Sequence, residues 1–263
     1  MNAAAANPRA SLPRTPRRAA IALAASALAA IATPAHANPT NLVTNGSFEN
    51  FTAGGASGSC TSTQTITNNN PTDWDTTSGY TFVVNASNYS SFCGPAGSLG
   101  LYGPITASPD GGNFLADDSV YQVGYVYQAI SNLVPGATYA LTFYMAAAQQ
   151  TGYTGATTDY FNIGLGLTAG ATDGPGSSGT TPTFDLPSQT FSGWVSEEVN
   201  LFAATTSEVL WFLAGGTPSG EPPFALLDGL DMEITVPEPP AAALLLVGVL
   251  ALAGLRRHAR TPA

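Results

Sequence analysis

The sequence predicts an all-β, two-sheet jelly-roll sandwich flanked by an N-terminal signal peptide and a C-terminal single apolar helix. Three observations carry this expectation. Apolar and polar residues alternate with period two through much of the middle of the chain, turn-forming Gly, Pro and Asn separate those runs, and the two strongly apolar segments lie at the ends beside arginines. These features divide the 263 residues into 1–37, 38–235 and 236–263.

The first segment carries Arg9, Arg14, Arg17 and Arg18, then an apolar run over 19–32, then Thr33-Pro34-Ala35-His36-Ala37. That order is the template of a secretory signal, and Ala35-His36-Ala37 supplies the small-x-small site that places cleavage by signal peptidase between Ala37 and Asn38. The apolar run is too short to span a bilayer. The residues around Arg17-Arg18 favour general export over the twin-arginine route.

In the middle, Tyr139, Leu141, Phe143 and Met145 point one way while Ala140, Thr142, Tyr144 and Ala146 point the other. Similar strand patterning runs over 80–84, 120–130, 160–167, 195–202, 208–213 and 226–236. About eight short strands with this punctuation fit a sandwich, and a two-sheet jelly roll closes such a number well. Residues 52–70 and 168–188 are poor in large apolar side chains and read as long surface loops. Cys60 and Cys93, both exported, are expected to form a disulfide. Closing that loop would stabilise the fold by about 3 kcal/mol in the entropic description.

Charge narrows the chemistry. There is no lysine, all seven arginines lie in the terminal segments, and so do His36 and His258. Of the 17 acids only Glu238 lies outside the middle domain, which therefore holds 16 carboxylates and no basic side chain. Such a surface repels nucleic acid and other polyanions, because phosphate recognition rests on Lys and Arg. A Ser-His-Asp triad, a Cys-His pair, a Schiff-base lysine and a His-ligated zinc are all excluded. The expectation is a non-enzyme. Its one catalytic alternative is a glycosidase using two carboxylates about 5 to 10 Å apart.

The last segment reads Val236-Pro237-Glu238-Pro239-Pro240, then an uncharged apolar run over 241–255, then Arg256, Arg257, His258 and Arg260. The apolar part just reaches the length of a transmembrane helix, and the arginines would hold the tail in the cytoplasm. Motif, short helix and basic stop together resemble the PEP-CTERM sorting signal of Gram-negative bacteria that make exopolysaccharide. That resemblance implies recognition by an exosortase, a transient stay in the inner membrane, cleavage near Pro237-Glu238-Pro239, and delivery to the cell envelope, outer surface or extracellular matrix. The competing reading is an uncleaved C-terminal anchor.

The opening Asn41-Leu42-Val43-Thr44-Asn45-Gly46-Ser47-Phe48-Glu49 and the ending Leu227-Asp228-Gly229-Leu230-Asp231-Met232-Glu233-Ile234 resemble the first and last strands of galactose-binding-like jelly rolls, several of them carbohydrate-binding modules. Asp110-Gly111-Gly112-Asn113-Phe114-Leu115 resembles a turn of exported proteins of this build. The resemblance implies a structural Ca²⁺ between Glu49 and Asp228, completed by backbone carbonyls and Asn45; otherwise Glu49 is a solvated strand-end charge and Asp228 opens a turn. A neutral glycan, such as exopolysaccharide, needs an aromatic platform beside hydrogen-bonding groups, and Asp73-Trp74-Asp75 supplies both. Tyr80, Tyr102, Tyr121, Tyr125, Tyr153 and Gln149 are further candidates for that face. Trp74 reads equally well as a core residue after Pro71, and Trp194 and Trp211 read as core. A structural coat or adhesion protein without a small ligand is the alternative function.

Overall fold

The computed structural model describes residues 40–51, 71–77, 79–94 and 97–235. Ala37 and Asn38, Cys60 with the predicted loop 52–70, and the sorting motif Val236, Pro237, Glu238 and Pro239 with its apolar run lie outside the described residues. Among the described residues there is no helix long and apolar enough to cross a membrane.

The described residues form thirteen strands, in order β1 (Asp75–Thr76), β2 (Thr81–Asn85), β3 (Phe92–Gly94), β4 (Gly97–Leu99), β5 (Asn113–Asp118), β6 (Tyr125–Ser131), β7 (Thr138–Gln149), β8 (Thr157–Gly166), β9 (Ser178–Thr180), β10 (Phe184–Leu186), β11 (Val195–Phe202), β12 (Ser207–Thr217) and β13 (Pro223–Ile234). Two antiparallel sheets contain most of them. One has the order β11-β7-β13-β5-β2, and the other β1-β6-β12-β8-β10 with β9 also on β8; β3 and β4 form a small hairpin. The chain alternates between the large sheets through β5, β6, β7 and β8, and again through β11, β12 and β13, which is the crossing pattern of a jelly roll.

The core between the sheets follows from the alternation. Tyr139, Leu141, Phe143 and Met145 of β7 face Phe161, Ile163 and Leu165 of β8 and Leu210, Phe212 and Ala214 of β12, all buried. Each such side chain contributes about 1.5 to 3 kcal/mol by leaving water. In β7 the alternation ends at Ala146, after which every residue to Ala148 is buried, because a second apolar layer lies on the outside of this sheet. Phe82, Val84, Phe114, Ala116, Ala146, Ala148, Phe224 and Leu226 meet Phe92, Leu101 and Ile105 there, with Phe191 and Trp194 closing the rim. Alanines at three of these positions let the covering segment come down onto the strands. The five-stranded sheet is therefore buried on both faces over β2, β5 and the adjoining ends of β7 and β13, while β11 keeps one face to solvent.

The structure refines two sequence expectations. The predicted loop 168–188 contains β9 and β10, and Asp110–Leu115, read as a turn, runs directly into strand β5. Cys93 is fully buried on β3 and is disulfide-bonded.

Candidate functional site

The opening motif folds as a tight loop against the last strand. Asn45 and Phe48 take positive φ angles of 50° and 53°. The Asn45 side chain fixes the turn by donating to the carbonyls of Asn50 (2.7 Å) and Thr72 (2.9 Å) and accepting from Asn50 N–H (3.1 Å). The Asn45 side chain is thus engaged with the loop through Asn50 and Thr72. Glu49 instead lies against Gly112: Oε1 accepts from the Asn113 backbone N–H (2.6 Å) and Oε2 from the Asn113 side-chain amide (3.1 Å). A Cβ at Gly112 would collide with this carboxylate, and the residue's φ of 62° also favours glycine.

Asp228, on β13, is completely buried. The Ser108 hydroxyl donates to its Oδ2, while Oδ1 has no hydrogen-bond partner. Burial pushes its pKa up to about 8, and the negative charges of Asp110 and Glu49 push in the same direction. Three acids from separate parts of the chain therefore share one electrostatic site. Their donor set is all oxygen, which suits a hard cation, and the orphaned Oδ1 is a position a cation would satisfy. Among the described residues no group of three acids stands ready-gathered in a metal-ligating arrangement. Alongside lies a polar cleft of about 610 Å³ whose walls include Asp110, Tyr144, Ser196 and Asp231. Burial raises the Asp231 carboxyl above its usual range.

The predicted glycan platform does not stand where the sequence placed it. Trp74 is 2% exposed, its ring tilted between Phe48 (5.5 Å) and Phe212 (6.2 Å), and its Nε1–H donates to the Asn45 carbonyl (3.1 Å). The indole is a core residue, because its one polar atom is satisfied inside and its two faces find aromatic partners. Asp73 and Asp75 remain exposed. Of the auxiliary residues, Gln149 is buried and Tyr102 is engaged with Gln189 and Gly152. Trp194 is half-buried at the rim of the second core, with Nε1–H donating to the Thr106 carbonyl (3.0 Å).

Asp75 leads to a different aromatic surface. Cross-strand partners share a face, so the register puts Asp75, Tyr127, Trp211 and Gly164 in one row on the outside of the six-stranded sheet. Tyr125, Leu213, Asn162 and Thr180 form the next row, followed by Gly215 with Tyr160 and then Thr217 with Thr158. Trp211 lies over Gly164, meets Tyr125 edge-on at 5.4 Å and donates Nε1–H to the Ala171 carbonyl (2.7 Å), which leaves it 6% exposed. Tyr160 likewise lies over Gly215. Tyr125, Tyr127, Tyr160, Leu213 and Asn162 are half-buried. Among the described residues, the core clusters place no second apolar layer over this face.

Sequence reading also missed a group of interior acids, Asp117, Asp118 and Asp159, all essentially without exposure. The signal was present: Asp159 falls in phase with Phe161 and Ile163, and Asp117 with Leu115.

No protein-family model matches the chain, and no curated protein matches it. Similarity to solved structures is distant. A carbohydrate-binding module, TmCBM61, in complex with beta-1,4-galactotriose aligns with a TM-score of 0.41 and 11% identity, covering 74% of this chain and 99% of that one. The CBM22-1 xylan-binding domain of Paenibacillus barcinonensis Xyn10C aligns at 0.37 and 11%, covering 76% and 97%. The K3 cleaved adhesin domain of Lys-gingipain from Porphyromonas gingivalis W83 aligns at 0.37 and 16%, covering 62% and 93%. At TM-scores below 0.5 none of these likenesses transfers a ligand or a role to this chain.

Proposed function

We propose that this chain is an exported protein of the cell envelope or extracellular matrix whose sandwich binds a neutral glycan on the open face of its six-stranded sheet. The observation that carries the reading is the outward row-by-row placement of Tyr125, Tyr127, Tyr160 and Leu213 among Asp75, Asn162, Thr158 and Thr180. Sugar rings present apolar C–H faces and hydroxyl edges, so a flat surface mixing aromatic rings with amide, hydroxyl and carboxylate groups meets both needs. The absence of basic side chains from residues 38–235 favours a neutral glycan over a polyanion. Export and sorting rest on the terminal segments: signal peptidase acts after Ala37, and an exosortase at Val236-Pro237-Glu238-Pro239. Glu49 and Asp228, joined by Asp110, would hold a structural Ca²⁺ beside the opening loop, supplying positive charge where Asp228 is otherwise orphaned.

The test uses the full chain in a glycan-array screen followed by titration of the best neutral hit. Tyr127→Ala and Tyr160→Ala each weaken binding about three- to tenfold, a stack of this kind being worth on the order of 1 kcal/mol. Full binding in the double variant would overturn the site. The burial of Trp74 favours one alternative, a structural coat protein without a small ligand, and the absence of any glycan hit would select it. Release of shortened glycan, lost in Asp110→Asn or Asp231→Asn, would replace both readings with a hydrolase.

A further inference from the structure

The apolar cover on the five-stranded sheet reaches its rim at Phe191 and Trp194. Past that rim the outer face of β11, β7 and the end of β13 carries polar side chains. Cross-strand partners share a face, so the register sets Ser196, Tyr144 and Asp228 in one row and Glu198, Thr142 and Asp231 in the next. Between these rows β13 has one residue more than β7, which is a β-bulge. The bulge keeps Leu227, Leu230 and Met232 in the core while both Asp228 and Asp231 turn to the outer face. Gly229, inside the bulge, has a φ of 61°, and a Cβ there would stand 2.9 Å from the Tyr144 ring and 3.0 Å from Asp110 Cβ. Glycine thus lets the ring and the acid come down onto the strand.

These residues floor the polar cleft of about 610 Å³, and the opening loop supplies its wall. That volume falls within the roughly 300 to 1,000 Å³ usual for small-molecule sites. The wall is committed to the fold: Asn41 bonds to the backbone of Met232 and Leu230, and Asn45 to that of Asn50 and Thr72. The floor is not. Among the described residues, no hydrogen-bond partner takes up the hydroxyls of Thr142, Tyr144 and Ser196, and the buried Oδ1 of Asp231 has none either. The carboxylates of Asp110 and Asp231 can only accept, so an occupant must bring donors, and together they repel an anion. The three hydroxyls can donate or accept, and Tyr144 offers a ring to an apolar C–H face. An uncharged, hydroxyl-rich sugar meets all of these conditions. Because the cleft is walled where the six-stranded face is flat, it fits the end or a short stretch of a chain.

We infer that the cleft at the β13 bulge is a second site for a neutral sugar, with Tyr144 as its platform and Asp110, Thr142, Ser196 and Asp231 as its hydrogen-bonding groups, so that one domain holds two glycan chains. The cleft needs nothing from the open face, whereas the pairing of two sites rests on the glycan reading given above for that face. The sites lie on the outer faces of different sheets, and packed sheets stand about 10 Å apart with side chains filling the space between. One straight stretch of sugar cannot reach both. Each copy of the domain therefore joins two chains, which makes it a cross-linker of the polysaccharide that it binds.

The experiment follows isotope-labelled tyrosine rings of the full chain by NMR in mild detergent, with cello-, xylo-, manno- and galactohexaose as probes. A probe that binds shifts the Tyr144 signal and, separately, those of Tyr127 and Tyr160. Tyr144→Ala/Asp231→Asn keeps the open-face shifts, and Tyr127→Ala/Tyr160→Ala keeps the Tyr144 shift. The polysaccharide with the same repeat then gains light scattering on mixing with the wild type, and either double variant abolishes that gain. Shifts at Tyr127 and Tyr160 without one at Tyr144 overturn the cleft site and leave the open-face reading standing. A shift at Tyr144 alone supports the cleft, and overturns the open face and with it the cross-linking. No shift with any probe overturns both. If Tyr144→Ala/Asp231→Asn fails to fold, Ser196→Trp, at an exposed position of β11, fills the cleft and is expected to keep the open-face shifts while abolishing the scattering; unchanged scattering overturns the proposal.

Discussion

The two large sheets treat their outer faces in opposite ways. The five-stranded sheet is covered by its own chain, with Phe92, Leu101 and Ile105 lying on Phe82, Phe114 and Phe224. The six-stranded sheet carries a comparable density of aromatic side chains, yet all but Trp211 remain half-buried, and they are interleaved with Asp75, Asn162, Thr158 and Thr180. The covered face spends its aromatics on stability. The open one holds Trp211 and Tyr160 over Gly164 and Gly215, an arrangement that lowers the rings onto the backbone without enclosing them all. Aromatic content alone therefore does not separate core from surface in this fold; what separates them is whether another stretch of chain lies on top.

The sharpest way to break this contrast is Phe82→Ala. It removes a fully buried ring that touches Phe92 at 5.0 Å and Phe224 at 6.1 Å between centroids. Loss of about 3 to 5 kcal/mol is expected, read by urea denaturation. Gly112→Ala is the next largest: a Cβ there meets the Glu49 carboxylate at a backbone φ that L-residues disfavour, so a loss of about 1 to 3 kcal/mol and weaker calcium dependence are expected from calorimetry with and without chelator. A pH series probes the interior between the two faces. Asp117, Asp159 and Asp228 all have raised folded-state pKa values, so the folded state holds protons that the unfolded chain releases above its ordinary carboxylate range. In chelator, stability falls as pH rises from about 4 to about 8 and then levels. A drop in melting temperature of about 3 °C or more across that window corresponds to roughly 1 kcal/mol for a domain of this size. Calcium held at Glu49 and Asp228, as proposed above, would flatten only the part of the slope that belongs to Asp228. Tyr127→Ala has the smallest effect on folding, about 1 kcal/mol or less, because the ring is already half in water. Its effect belongs to binding, and a large stability loss there would show that the open face is structural.

The sequence revealed the strands where one side meets the core and the other meets water. β11 occupies Val195–Phe202, the predicted span, and the β7 alternation from Tyr139 to Met145 is the alternation seen. It was less informative where both sides are buried or pairing is short. The run 226–236 extends back to Pro223 in β13, where six successive buried residues erase the period-two signal, and β1, β3, β4, β9 and β10 are too short to carry one. Trp74 shows the same limit at a site. Its acidic neighbours suggest a wet platform, but Asp73 has a positive φ of 70°, and the chain bends there to send the indole inward and both carboxylates out. The interior acids were legible in phase with Phe161 and Leu115, and only the assumption that charged residues avoid the core hid them.

β13 lies in the middle of its sheet, hydrogen-bonded to β7 along its length and to β5 over its first half. Just before its end, the opening segment ties on: Leu42 N–H donates to the Met232 carbonyl (3.0 Å), Met232 N–H to Asn41 Oδ1 (3.0 Å), and Asn41 Nδ2 to the Leu230 carbonyl (3.0 Å). Tension entering at Thr235 consequently runs lengthwise down a central strand, where many antiparallel hydrogen bonds must slide together instead of opening one by one. A domain pulled from that end resists as a unit.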